Sequence, residues 1–155
     1  MTDLMKAEPE GEMVMGLFTR ILVATDGSEK NRAAVDEAMR IGRACRSPVH
    51  AVYVVDTRAL ESGPADMMIG DAWDVLQHEG VEALARVKAG ARGVLLETKL
   101  LEGNPANEIV KYAAEKGIDL IVIGTQGKRG MARLLLGSVA ENVIRAAPSR
   151  ILVVK

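Results

Sequence analysis

The sequence predicts an α/β protein, a mostly parallel open sheet with helices on both faces. Two observations carry that reading. Short apolar runs rich in β-branched residues alternate along the chain with longer stretches of helical periodicity. Each pair of successive runs is separated by a helical crossover, which is what neighbouring parallel strands require. A third feature sits at the place where such sheets bind ligands: a glycine-rich stretch, Gly124 to Ser138, follows the fourth run directly.

The elements follow in order. Arg20 to Thr25 (RILVAT) reads as a buried strand. Asp26-Gly27-Ser28 breaks it, with Ser28 placed to cap a helix running to about Cys45. Val35, Ala38, Met39, Gly42 and Cys45 form the buried stripe of that helix. Val49 to Val55 is the second strand, after Pro48. Thr57 to Gly70 contains Gly63-Pro64 and no clear period, so it reads as a loop. Ala72 to Ala91 is a long helix with Trp73, Leu76, Leu84, Val87 and Ala91 on one face. Val94 to Leu101 is the third strand, and its Glu97 and Lys99 suit an edge. Asn104-Pro105 starts a helix with a cap and an N-terminal proline, Ile109, Tyr112 and Ala113 face inward, and Gly117 stops it. Asp119 to Ile123 (DLIVI) is continuously apolar after its first residue, as a central strand should be. A last helix spans Val139 to Ala147, and Ile151 to Val154 is the final strand.

Bulk properties bound the function. At 155 residues the chain fits one folded domain, residues 18–155, behind a polar extension, residues 1–17. A net charge of −1 gives no global field toward nucleic acid or an anionic membrane. Phe18, Tyr53, Trp73 and Tyr112 are too few aromatics for a base-stacking platform. Cys45 is the single cysteine, which excludes an intramolecular disulfide and suits a reducing cytoplasm. His50 and His78 are the only histidines, so a structural zinc site is not expected; His50 and Cys45 read as core residues. No spanning helix and no signal peptide are expected.

The glycine stretch reads GTQGKRGMARLLLGS. Glycines let backbone N–H groups approach an anion, and a helix N-terminus adds free N–H groups and a positive dipole end. Lys128, Arg129 and Arg133 add local positive charge. The stretch fails the Walker A pattern, because Arg129 follows Gly127-Lys128. The first strand fails the dinucleotide fingerprint, because Asp26-Gly27-Ser28 stands where Gly-x-Gly-x-x-Gly belongs. What fits is Gly124, two residues, Gly127, nine residues, Gly137-Ser138.

With that spacing the sequence resembles the universal stress protein family, in its ATP-binding branch. The resemblance runs from about Arg20 to Lys155 and includes Thr25-Asp26, Gly103-Asn104-Pro105 and the run Leu134 to Lys155. It implies a Rossmann-like open parallel five-stranded sheet of order 3-2-1-4-5. It implies that Ala24, Thr25 and Asp26 lie beside adenosine, and that Val54 lines an adenine slot with Ile123 nearby. Gly124 and Gly127, with Lys128 adjacent, would bracket ribose and α-phosphate. Gly137, Ser138 and the N–H groups of Val139 and Ala140 would hold the outer phosphates of ATP, or those of ADP or AMP in its place. Mg2+ or Mn2+ would accompany the phosphates; no metal-binding side chain is assigned. The resemblance also implies a homodimer through Ile151 to Val154. Two positions depart from the pattern: Gln126 replaces a frequent histidine, and Ala140 offers no hydroxyl.

Several of these residues have simpler roles open to them. Ser138-Val139-Ala140-Glu141 is a capping box. Asp26 can initiate a turn. Lys128, Arg129 and Arg133 can be a solvated face, and Met67, Met68 and Ile69 can pack on a helix or a second subunit. Three functions remain in play: a nucleotide-dependent stress-response switch with an unidentified signalling partner, a slow metal-dependent ATPase, and a nucleotide-free dimeric module. No general base is evident for hydrolysis.

Overall fold

The computed structural model of the chain describes residues 16–61, 69–126 and 136–155. Among these, the chain runs β1 (Ile21–Ala24), a 3-10 turn (Glu29–Asn31), α1 (Arg32–Cys45), β2 (Val49–Asp56), α2 (Arg58–Glu61), α3 (Ile69–Gly90), β3 (Leu96–Gly103), α4 (Pro105–Lys116), β4 (Leu120–Gly124), α5 (Ser138–Ala146) and β5 (Arg150–Val154). The strands form one five-stranded sheet of order β3-β2-β1-β4-β5, the expected order. All pairings are parallel, with Ala24 opposite Val52 and Gly124 opposite Val154. β1 lies between β2 and β4, so the order reverses at its side.

Alternation along the strands divides the core in two. Ile21, Val23, Val49, Ala51, Leu120 and Val122 pack under α1 and α3. Leu22, Val52, Ile121 and Ile123 pack under α4 and α5, against Ile109, Tyr112 and Val143. Burying each such aliphatic side chain stabilises the fold by about 1.5–3 kcal/mol. That explains why β1 and β4 are apolar on both sides: both are buried up to their last residues, Ala24 and Gly124, which are partly exposed. The edge strand β3 keeps Glu97 and Lys99 exposed, as its sequence suggested.

Some expectations shift. Arg58–Glu61 forms one helical turn inside the expected loop, fastened by Arg58, whose Nε and Nη2 donate to Asp56 at 2.9 and 2.7 Å. α3 begins at Ile69, three positions before the expected start; residues 62–68, with Met67 and Met68, lie outside the described part. β3 begins at Leu96 rather than Val94, because Gly93 turns with φ +68° and leaves Leu95 exposed, and the strand instead continues beside Val55 and Asp56 to Gly103. Val35 is half-buried and packs at the margin of the first core, while Ala34 takes a fully buried place in the α1 stripe. Of the extension at residues 1–17, only Gly16 and Leu17 are described.

Polar groups at the amino end of the sheet are matched. The carboxylate of Asp119 accepts from Thr19 N and Thr19 Oγ1 at 2.8 Å each and from Arg20 N at 3.1 Å. Burial works to raise its pKa, but these hydrogen bonds outweigh it and hold the carboxyl below its ordinary range. Ser149 donates to Ile118 O, and Ser47 to Phe18 O. His50, buried as expected, has Nδ1 3.0 Å from the Tyr112 hydroxyl and 3.6 Å from Glu97 Oε2. Burial lowers the His50 pKa; Glu97 opposes the shift, and Lys116 and Arg20 reinforce it. Burial, with Glu97 beside it, raises that of Tyr112.

Candidate functional site

The carboxyl ends of β1, β2 and β4 meet the start of α5 at one edge of the sheet. Backbone bonds build that edge. Thr25 N donates to Val52 O at 2.9 Å, carrying β1 one residue past its strand. Thr25 is buried, and its Oγ1 accepts from Gly27 N at 3.1 Å. Gly27 has φ +77°, and a methyl group there would lie 3.0 Å from Ala83 Cβ on α3, so the turn needs glycine on two counts.

Asp26 divides its work between its two oxygens. Oδ1 accepts from Ser28 N at 2.9 Å and from Ser28 Oγ at 2.6 Å, which makes the turn. Oδ2 is buried and has no hydrogen-bond partner among the described residues. Ser28 therefore does not cap the helix with its side chain; its hydroxyl is committed to Asp26, and the chain opens with a 3-10 turn before α1.

On the other side of the switch point, Thr125 N donates to Val154 O at 3.1 Å and Thr125 O accepts from Gly137 N at 2.7 Å. This pair of bonds brings the start of α5 to the end of β4. The helix begins at Ser138, with Gly137 as N-cap and no side-chain cap. The capping box is therefore not formed. Ser138 stands inside the first turn with its side chain exposed, and Glu141 pairs with Arg145 Nη2 at 2.7 Å instead of reaching back. The first-turn N–H groups of α5 carry the positive end of its dipole and, among the described residues, no side-chain acceptor. Ala140 is buried toward α4, so only its backbone faces outward chemistry.

Ala24, Val54 and Ile123 lie on the same face of three adjacent strands and form an apolar wall at this edge. Thus Ala24, Thr25, Asp26, Val54, Ile123, Gly124 and Gly137 to Ala140 gather at the carboxyl edge, while Gly127, Lys128, Arg129 and Arg133 lie outside the described residues. Sequence reasoning missed Asn31. It is 6% exposed, its Oδ1 has no partner, and a methyl group on Gly124 would lie 3.1 Å from its Nδ2. Its signal was present: Asn31 is a polar residue one turn ahead of Ala34 and Val35, on the stripe that α1 buries.

An open parallel sheet that reverses order beside β1, with its polar and glycine-rich turns at the carboxyl ends, defines a doubly wound α/β protein with its ligand edge there. The model of the universal stress protein family matches residues 17–155, and the chain belongs to that family. Universal stress protein MJ0531 of Methanocaldococcus jannaschii is 45% identical over 141 residues, covering 90% of this chain and 83% of that protein. The solved structure of MJ0577, from the same organism, is 30% identical with a TM-score of 0.78, over 88% of this chain and 95% of that one. A universal stress protein in complex with cAMP is 28% identical with a TM-score of 0.62, over 88% and 96% of the two chains. The Archaeoglobus fulgidus protein in complex with dAMP is 25% identical with a TM-score of 0.63, over 88% and 98%.

Proposed function

We propose that this protein binds an adenine nucleotide across the carboxyl edge of its sheet and acts as a nucleotide-dependent stress-response switch. The observation that carries the reading is the buried, unpartnered Asp26 Oδ2 at the switch point, across from the uncapped start of α5. The two features ask for opposite chemistry. Asp26 Oδ2 needs a donor, and adenosine offers N–H and O–H groups. The first turn of α5 needs acceptors, and phosphates supply them. The residues present therefore fit a nucleotide. Relatives of the same fold hold cAMP and dAMP, which supports adenine as the shared element.

In this reading Ala24, Val54 and Ile123 bound the base, and Thr25 and Asp26 hold adenosine. Gly124, Gly127 and Lys128 approach ribose and α-phosphate. Gly137, Ser138, Val139 N and Ala140 N take the outer phosphates of ATP, with ADP and AMP as competitors. Mg2+ or Mn2+ would screen the phosphate charge, with no side chain of this protein assigned to hold it. Among the described residues the half-buried apolar strand β5 is bonded to β4 on one side only, which supports a two-fold dimer through Ile151 to Val154. A monomer in sedimentation at micromolar concentration would remove the dimer from the proposal. Cytoplasmic location is supported by the buried free thiol of Cys45.

Calorimetric titration with ATP, ADP and AMP, each with and without magnesium, tests the function. We expect binding by the wild type and at least a tenfold loss for ATP in Gly137→Val. Absence of binding at millimolar nucleotide, together with no nucleotide released on denaturation, would overturn it in favour of a dimeric interaction module. Phosphate release that survives exhaustive purification and disappears in Asp26→Ala would make the protein a slow ATPase.

A further inference from the structure

We propose that Asn31 is a positioning residue for the nucleotide site, fixing where the chain leaves β4 for the glycine stretch. The inference rests on the nucleotide reading and adds a residue that the motif does not contain.

Asn31 closes the 3-10 turn and stands at the N-cap of α1. Asparagine at an N-cap ordinarily turns its side chain onto the N–H groups of the first helical turn. Here it does not. Its backbone is already helical, with φ −84° and ψ −12°, and no side-chain cap bond forms. The carboxamide points inward, and the residue is 6% exposed.

What it meets is the exit of β4. A methyl group on Gly124 would lie 3.1 Å from Asn31 Nδ2 and 4.0 Å from Ala34 Cβ. The glycine's φ is not in the left-handed region, so what it provides there is close approach: an added methyl group would push the Asn31 amide aside by a few tenths of an ångström. The amide thus packs against bare backbone, at the residue from which the glycine stretch begins.

Hydrogen bonds among the described residues do not account for that amide. Asn31 Oδ1 is buried without a donor among the described residues, and such an atom is costly to bury. The position lies on the buried stripe of α1, where alanine would fit without that cost. The carboxamide therefore matters in another state: Nδ2 sets the path at Gly124, and Oδ1 gains its donor in the nucleotide-bound arrangement. Asp26 Oδ2, five residues earlier on the same connection, is unpartnered in the same way. One connection between β1 and α1 would then serve both sides of the site.

The test separates stability from binding. Asn31→Ala and the isosteric Asn31→Asp are compared with wild type by thermal melting without ligand and by calorimetric titration with ATP and AMP. We expect the melting temperature of Asn31→Ala to hold or rise, and its nucleotide affinity to fall about tenfold. Gly124→Ala is then made in both backgrounds. It should weaken binding more in wild type, where the amide obstructs the new methyl group, than beside Asn31→Ala. An Asn31→Ala variant that melts lower or fails to fold, with affinity per folded molecule unchanged in Asn31→Asp, would overturn the proposal, because the residue would then be structural. So would equal effects of Gly124→Ala in the two backgrounds. If wild type itself binds no nucleotide, the site reading fails and this inference falls with it; if wild type and Asn31→Ala bind alike, only the inference falls.

Discussion

The two ends of the sheet hold buried and half-buried polar groups in opposite conditions. At the amino end, Asp119 accepts three hydrogen bonds from Thr19 and Arg20, His50 meets Tyr112, and Ser149 and Ser47 each bond a backbone carbonyl. At the carboxyl end, Asp26 Oδ2 and Asn31 Oδ1 are buried with no partner among the described residues. Both ends are made of the same kind of element, a short polar turn flanking parallel strands. The difference lies in completeness. A matched polar cluster ties segments together, and the unmatched one is complementary to something outside the chain. Lesions at the amino end should therefore reach stability and leave binding alone, and lesions at the carboxyl end should do the reverse.

The largest expected effect is at Asp119. Replacing it with alanine removes three accepted hydrogen bonds whose donors water can reach, so unfolding free energy should drop by about 2 kcal/mol, toward the low end of the usual value per bond. Urea denaturation reads this, and nucleotide affinity of the folded fraction should stay at the wild-type value. A matching loss of affinity would erase the distinction between the ends. The same residue gives a pH signature. Its folded pKa lies below the unfolded value of about 3.9, so its contribution is complete above that pH and is lost as acid passes through the folded value.

Asp26→Asn should act the other way. It keeps an acceptor for Ser28 and turns the unpartnered oxygen into a donor. We expect about a tenfold loss of nucleotide affinity, or about 1.4 kcal/mol, with stability changed by less than about 0.5 kcal/mol. Calorimetry beside denaturation on one preparation decides it. If stability falls and affinity holds, the carboxyl end is as structural as the amino end.

The smallest effect is at His50. Its folded pKa lies below the unfolded value of about 6.5, so the unfolded chain takes up the proton more readily. Stability should be flat above that pH and should decline as pH falls below it. Glu97, Tyr112, Lys116 and Arg20 surround the ring, and Glu97 softens the decline. His50→Gln should flatten the profile between neutral pH and pH 5. An unchanged slope would assign the decline to carboxylates elsewhere.

These contrasts also explain what the sequence made legible. β1 and β4 were readable because strands buried on both faces are apolar throughout, as ILVA and LIVIG are. α4 was readable from both ends: Asn104 Oδ1 accepts from Asn107 N, and Gly117 closes the helix at φ +62°. The start of β3 was not, because Val94 is apolar and packs on the core from a turn, so hydrophobicity alone could not tell strand from approach. The single turn of α2 is too short to show a period. At α5 the pattern Ser-x-x-Glu fits both a capping box and a bare N-terminus, and the nearer partner Arg145 decides the outcome for Glu141. At the site, Asp26 was visible as a turn residue at a strand end. That one of its oxygens makes the turn and the other is left over is a fact of geometry. Asn31 left a signal, a polar residue in register with the buried stripe, but one that a weak helix start would leave as well, so it could not be assigned to the site.

The Thr125 junction has a practical side. Its amide is held by the carbonyl of Val154, and its own carbonyl holds Gly137 at the head of α5. Trimming the chain before Val154, or fusing a bulky affinity tag directly after Lys155, would disturb the anchor on which that head rests. Recombinant versions meant for ligand work are best tagged at the opposite terminus, and a C-terminal fusion should be joined through a linker long enough to leave β5 in register with β4.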